Sequence, residues 1–128
     1  MRAGRGLTAS GTLFGVFMSA DAASAFLIGR LAQEGRQAVA VLRASPGAVR
    51  GLSAVHVFAV DGERLWLVQP RLLGEPAIAS VPLGEVQDAS VREGTRPQVV
   101  LRLGGRTTRY TALDDVDACR RFVAALRG

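Results

Sequence analysis

From Ala38 onward, apolar residues fall into seven short runs separated by turn residues, and a single amphipathic stretch closes the chain. Runs of this length bounded by Gly, Pro and Asp are the mark of β-strands. Ala38 to Ala44 is the first, closed by Ser45-Pro46-Gly47, where Pro and Gly break a ladder. Leu52 to Val60 follows, apolar on both faces. Asp61-Gly62-Glu63 forms a tight hairpin loop into Arg64 to Gln69. Pro70 to Pro76 is a looser connection to the fourth run, Ala77 to Val81. Val86 to Arg92 is less apolar and reads as an edge strand. Gln98 to Leu103 and Arg106 to Ala112 are joined by Gly104-Gly105, a two-residue turn that accepts positive φ at both positions. A period of two puts Val99, Leu101 and Leu103 on one face, which Thr108 and Tyr110 continue across the hairpin.

The spacing changes after Ala112. Val116, Cys119, Phe122, Val123 and Leu126 form a helical stripe, with Asp114 expected as N-cap. Asp115 and Asp117 place negative charge in the first turn, and Arg120, Arg121 and Arg127 place positive charge toward the end. Ahead of the strands, a second helix is expected from Ser19 or Asp21 to Glu34, ended by Gly35 and carrying Phe26, Leu27, Ile28 and Leu31. Gly11, Gly15, Ser19 and Ala23 recur every fourth residue, a row that permits close helix approach.

Three readings compete for Leu13 to Leu31. A secretory leader would use Arg2 and Arg5, the apolar Leu13 to Met18 and the small residues Ala23-Ser24-Ala25, but its apolar core is short and broken by Gly15. A membrane span needs roughly 20 apolar residues and here would bury Asp21, at about 2.5 kcal/mol or more. The third reading, an amphipathic helix packed on its own domain or on a neighbour, fits the composition best. The expected division is an apolar helical segment, residues 1–36, and a mainly β domain, residues 37–128.

Length, at 128 residues with 48% hydrophobic, supports one core. All sixteen basic residues are arginine, with no Lys or Asn and two Ile, as GC-rich bacterial coding produces. Net charge of +5 favours anionic partners. Scattered arginines with few interleaved aromatics argue against nucleic acid. The lone Cys119 excludes an internal disulfide and a Cys-based zinc site, and fits a buried thiol in a reducing, cytoplasmic setting. His56, the single histidine, lies within an apolar strand on the face of Ala54 and Phe58. No nucleophile elbow, P-loop or dinucleotide fingerprint is present, and a helix N-terminus explains Asp114, Asp115 and Asp117 without a metal. A protein with no catalytic residues, metal or cofactor is the expectation.

Seven strands and a closing helix resemble the pleckstrin-homology superfold, particularly small bacterial PH-like domains. Val81-Pro-Leu-Gly-Glu-Val86-Gln-Asp-Ala89-Ser-Val91 is similar to the family's turn from fourth to fifth strand, and Val60-Asp-Gly-Glu-Arg-Leu-Trp-Leu67 resembles its second hairpin. The resemblance covers Gln37 to Gly128 and implies a seven-stranded antiparallel barrel or sandwich capped by the C-terminal helix, with the N-terminal helix as an addition. Lipid-binding members place basic residues around the first loop. Arg43 and Arg50 flank it here, but Leu52 stands where the last basic residue of that pattern belongs, so a specific phosphoinositide site is not implied. Fold alone does not choose a function in this class. The expected function is a non-catalytic interaction or assembly module that docks to itself or a protein partner through Phe14, Phe17, Phe26, Leu27 and Leu31. The alternative is peripheral binding to an anionic membrane, at its inner face, through Arg36, Arg43, Arg50 and Arg71 together with that helix.

Overall fold

The computed structural model describes residues 20–46, 55–69 and 77–128. Helix α1 (Ala20–Gln33) is followed by seven strands: β1 (Ala40–Pro46), β2 (His56–Val60), β3 (Arg64–Gln69), β4 (Ala77–Pro82), β5 (Val86–Arg92), β6 (Gln98–Leu103) and β7 (Arg106–Ala112). Helix α2 (Val116–Arg127) closes the chain. All strand pairs are antiparallel, in one sheet of order β4-β3-β2-β1-β7-β6-β5. Two meanders, β1 to β4 and β5 to β7, are therefore joined where β1 also pairs with β7. β1 follows β2 from Ala40 to Ala44 but meets β7 only from Ala44 to Pro46.

The fold is mainly β, as expected, but the sheet does not close into a barrel. Strands β4 and β5 are its two edges. Between them the chain makes a 3-10 turn, Leu83–Glu85, and the Leu83 N–H bonds the Glu63 carbonyl at 3.0 Å. That bond holds the end of β4 to the β2–β3 hairpin and so extends the β3 ladder instead of starting one with β5.

Turn chemistry accounts for the hairpins. Gly104 and Gly105 both have positive φ, 58° and 78°, a conformation that L side chains rarely adopt. In the β2–β3 loop the Asp61 carboxylate accepts the N–H groups of Glu63 and Arg64, each at 2.8 Å. Contrary to the expected turn at Ser45-Pro46, β1 continues through both residues, and Pro46 stands opposite Tyr110. A proline that lacks a ladder donor is tolerated at a strand end.

Each face of the sheet carries its own core. On the inner face Leu42, Phe58, Val60, Leu65, Val99 and Leu101 pack under the Cys119, Phe122, Val123 and Leu126 stripe of α2. Phe58 meets Tyr110 edge-on at 4.9 Å and Phe122 at 5.7 Å. On the outer face Val57, Ala59, Trp66 and Val68 are covered by Ala23, Leu27 and Leu31 of α1. Strand β2 is apolar at successive positions because both of its faces are covered.

Helix α1 ends as the sequence indicates. The Arg36 N–H reaches the Leu31 carbonyl at 2.8 Å across Gly35, whose φ is 72°. Of its apolar residues, Leu27 and Leu31 are buried, Phe26 is half-buried and Ile28 is exposed. The expected boundary between residues 36 and 37 is thus crossed by the outer core, and α1 belongs to the same folded unit as the sheet.

The cap of α2 is Asp115, not Asp114. Its carboxylate accepts the Ala118 N–H at 2.9 Å, whereas the Asp114 carboxylate is turned to Arg43. Asp115→Ala is expected to lower stability by about 1 kcal/mol in denaturant titrations, leaving the sheet intact.

Candidate functional site

Two of the four arginines expected to receive anions lie in the described residues, and both are bound to carboxylates of the protein itself. The Arg36 guanidinium donates to Asp61 at 2.8 Å and to Glu63 at 3.0 Å, and sits 5.8 Å from the centre of the Trp66 ring. Arg43 donates through Nε and Nη2 to Asp114 at 3.0 and 2.5 Å, and through Nη1 to Asp21 at 3.0 Å. Its backbone N–H also bonds Asp114, at 2.9 Å. These pairs tie the end of α1 to the β2–β3 hairpin, and the start of α1 to β1 and the approach to α2. They are structural clamps, and each expected anion-receiving guanidinium is engaged by carboxylates of the chain itself. Arg50 and Arg71 lie outside the described residues.

Asp61 is the centre of the first clamp. Its side chain is fully buried and also accepts the Trp66 indole N–H at 2.8 Å. Burial alone would raise this carboxyl. Hydrogen bonds from the Glu63 N–H, the Trp66 indole, the Arg64 N–H and Arg36 outweigh burial and hold it at about 2.

Among the interaction residues assigned to the N-terminal helix, Leu27 and Leu31 are 0% and 1% exposed against the chain's own sheet. They are not available to a partner. Phe26 retains an open side, while Phe14 and Phe17 lie outside the described residues. Among the described residues, no helix is long and apolar enough to cross a membrane.

His56 opens β2, half-buried, with its ring centre 6.3 Å from that of Tyr110 and its Nε2 3.3 Å from the Gln69 side-chain nitrogen. Cys119 is buried on the sheet-facing side of α2, and burial pushes its thiol above the ordinary range, away from a reactive thiolate. Asp114, Asp115 and Asp117 have separate tasks: the Arg43 clamp, the helix cap and a 3.2 Å pair with Arg120.

A surface not singled out from the sequence is the outer face of the β5–β7 half. Helix α1 covers only the β1–β4 half of that face. Register places Arg92 beside Gln98, Val100 between Ser90 and Arg109, and Arg102 between Asp88 and Thr107. The result is three exposed guanidiniums, Arg92, Arg102 and Arg109, against one carboxylate, Asp88. Arg96 in the β5–β6 loop and Arg106 at the start of β7 add positive charge nearby. Among the described residues, none of these five arginines has a carboxylate within ion-pair distance, in contrast to Arg30, Arg36, Arg43 and Arg120. The signal was present in the alternation: if Val99, Leu101 and Leu103 face inward, Arg102 must face outward, and the Gly104-Gly105 turn carries Arg109 to the same side.

No family model matches the chain, and no curated protein is similar to it in sequence.

Proposed function

We propose that this protein is a non-catalytic interaction module of PH-like architecture that docks peripherally on anionic membrane surfaces through the outer face of β5, β6 and β7. The PH-like reading is supported by the two meanders joined through β1 and β7, with the closing helix packed on the inner face. The observation that carries the functional reading is the segregation of charge. Among the described residues, the arginines of the α1 and β1–β3 half are held by carboxylates or by Ser80, while those of the β5–β7 half are exposed without a carboxylate partner.

The chemistry of the face favours lipid over other anions. It has no aromatic ring on which a base would stack. Val100 is its one apolar side chain, which is too little for the buried anchor of a protein interface. Phosphate and carboxylate headgroups need only charge, at about 1 kcal/mol for each basic residue near the surface.

Co-sedimentation with vesicles tests this reading. Binding is expected to phosphatidylserine-containing vesicles at low salt, to weaken as salt rises, and to be absent with phosphatidylcholine alone. Replacing Arg92, Arg102 and Arg109 together by Gln is expected to weaken it about 100-fold with an unchanged thermal midpoint. Equal binding to neutral vesicles, or a triple variant that binds as well as the parent, overturns it.

A further inference from the structure

The two edges of the sheet are built differently. Strand β5 carries Asp88 and Arg92 and is broken by a bulge between Val86 and Asp88, both of which discourage a further strand from adding to it. Strand β4, Ala-Ile-Ala-Ser-Val-Pro, has no charged residue and runs through six unbroken pairings with β3, from Arg64↔Pro82 to Gln69↔Ala77. Of the other strands only β2 also lacks acidic and arginine residues, and β2 has a neighbour on each side. Strand β4 therefore has the composition of an interior strand at an edge position.

Its free hydrogen-bonding groups can be assigned. The Leu83 N–H to Glu63 carbonyl bond fixes the phase of the β3–β4 ladder. Residues 77, 79 and 81 then direct their N–H and C=O to β3, and Ile78 and Ser80 direct theirs outward. Among the described residues nothing pairs with that outer side. On it, Ile78 is only partly covered by the outer core.

We infer that β4 pairs with β4 of a second copy, antiparallel about a two-fold axis, so that two sheets become one. Charge selects this edge and this occupant. The chain carries a net charge of +5, and among the described strands the arginines without a carboxylate partner are concentrated on β5–β7, at the far end of the strand order from β4. Joining two copies at β4 keeps the two cationic halves as far apart as the sheet allows, whereas joining them at β5 would bring those halves together. An uncharged strand also opposes itself without like-charge contacts. The two-fold arrangement is self-complementary and closes at two copies. It also gives the half-buried Ile78 an apolar neighbour. The pairing depends on β4 alone and is independent of the membrane reading.

Sedimentation and hydrogen exchange on the full chain test it together. The protein is expected to have the mass of a dimer at about 100 µM, and Ser80→Pro, which removes one outward N–H, and Ala79→Lys, which places a charge at the edge, are each expected to give a monomer. In the unaltered protein the Ile78 and Ser80 amides are expected to be protected from exchange when concentrated and to lose protection on dilution. This second measurement holds even if a variant fails to fold. A monomer at 100 µM, edge variants that keep the dimer mass, or Ile78 and Ser80 protection that does not change with concentration overturns the inference.

Discussion

Asp61→Ala is expected to destabilise the protein by about 3 kcal/mol. The carboxylate is fully buried and serves four donors: the Glu63 and Arg64 N–H groups, the Trp66 indole and Arg36. Alanine removes every acceptor at once. Water can reach the backbone amides at the turn and the partly exposed Arg36, but the indole N–H of Trp66, a residue 6% exposed, is left without its partner. Asp61→Asn separates the contributions, because its oxygen can still receive the two backbone amides while its NH2 is set against two donors. The pH dependence has a definite sign. The folded carboxyl lies at about 2, below its ordinary 3.8, so its contribution is fully present above about pH 4 and is lost as pH falls through about 2. That loss amounts to about 2 kcal/mol, and it is expected to vanish in Asp61→Asn. Urea titrations between pH 2 and 6, followed by the fluorescence of the single tryptophan, measure both effects. A midpoint that moves equally with pH in parent and variant would contradict the clamp.

Leu27→Ala is the second large expected effect, at about 2–5 kcal/mol out of a typical total of about 5–15 kcal/mol. Leu27 is fully buried against Val57, Ala59, Trp66 and Val68, and truncation opens a cavity between α1 and the sheet. A detachable interaction helix would behave oppositely, with unchanged unfolding and altered mass. Denaturant midpoints and sedimentation on the same sample distinguish the two. The expected result is a large shift in midpoint with no change in association at concentrations where the variant is folded.

How far the sequence reveals this structure depends on how far apart the interacting residues lie. Strands β3, β5, β6 and β7 begin and end where alternation and turn residues place them, because Asp61-Gly62 and Gly104-Gly105 act over a few residues. The limits of β1 were less legible: Pro46 reads as a stop, but pairing with Tyr110 carries the strand through it. The apolar character of β2 on both faces was visible, and it implied a cover on each side. The apolar residues of α1 were visible too, but Leu27 and Leu31 were expected to serve docking, whereas they pack on the outer face of that strand. The charge pairings were the least legible. Arg36 and Asp61 are 25 residues apart and Arg43 and Asp114 are 71 apart, so no local pattern shows that these arginines are occupied. Capture of Asp114 by Arg43 also explains why capping of α2 passes to the next residue. With those two arginines held by carboxylates, the exposed arginines of the described strands are those of β5–β7.

The way β1 joins the two meanders bears on how the chain reaches this state. Within each meander every strand pairs with one close by in sequence, so the hairpins of β2–β3 and β6–β7 require only short loop closures. The β1–β7 seam, by contrast, brings Ala44 beside Ala112 and is held by only three residue pairs, with the Arg43–Asp114 clamp next to it. Closing that seam carries the largest loop entropy of any strand pairing and completes the inner core under α2. The topology thus separates two sets of local pairings from one long-range seam, and mutations at the β1–β7 seam are expected to slow folding more than those within either meander, as stopped-flow refolding would measure.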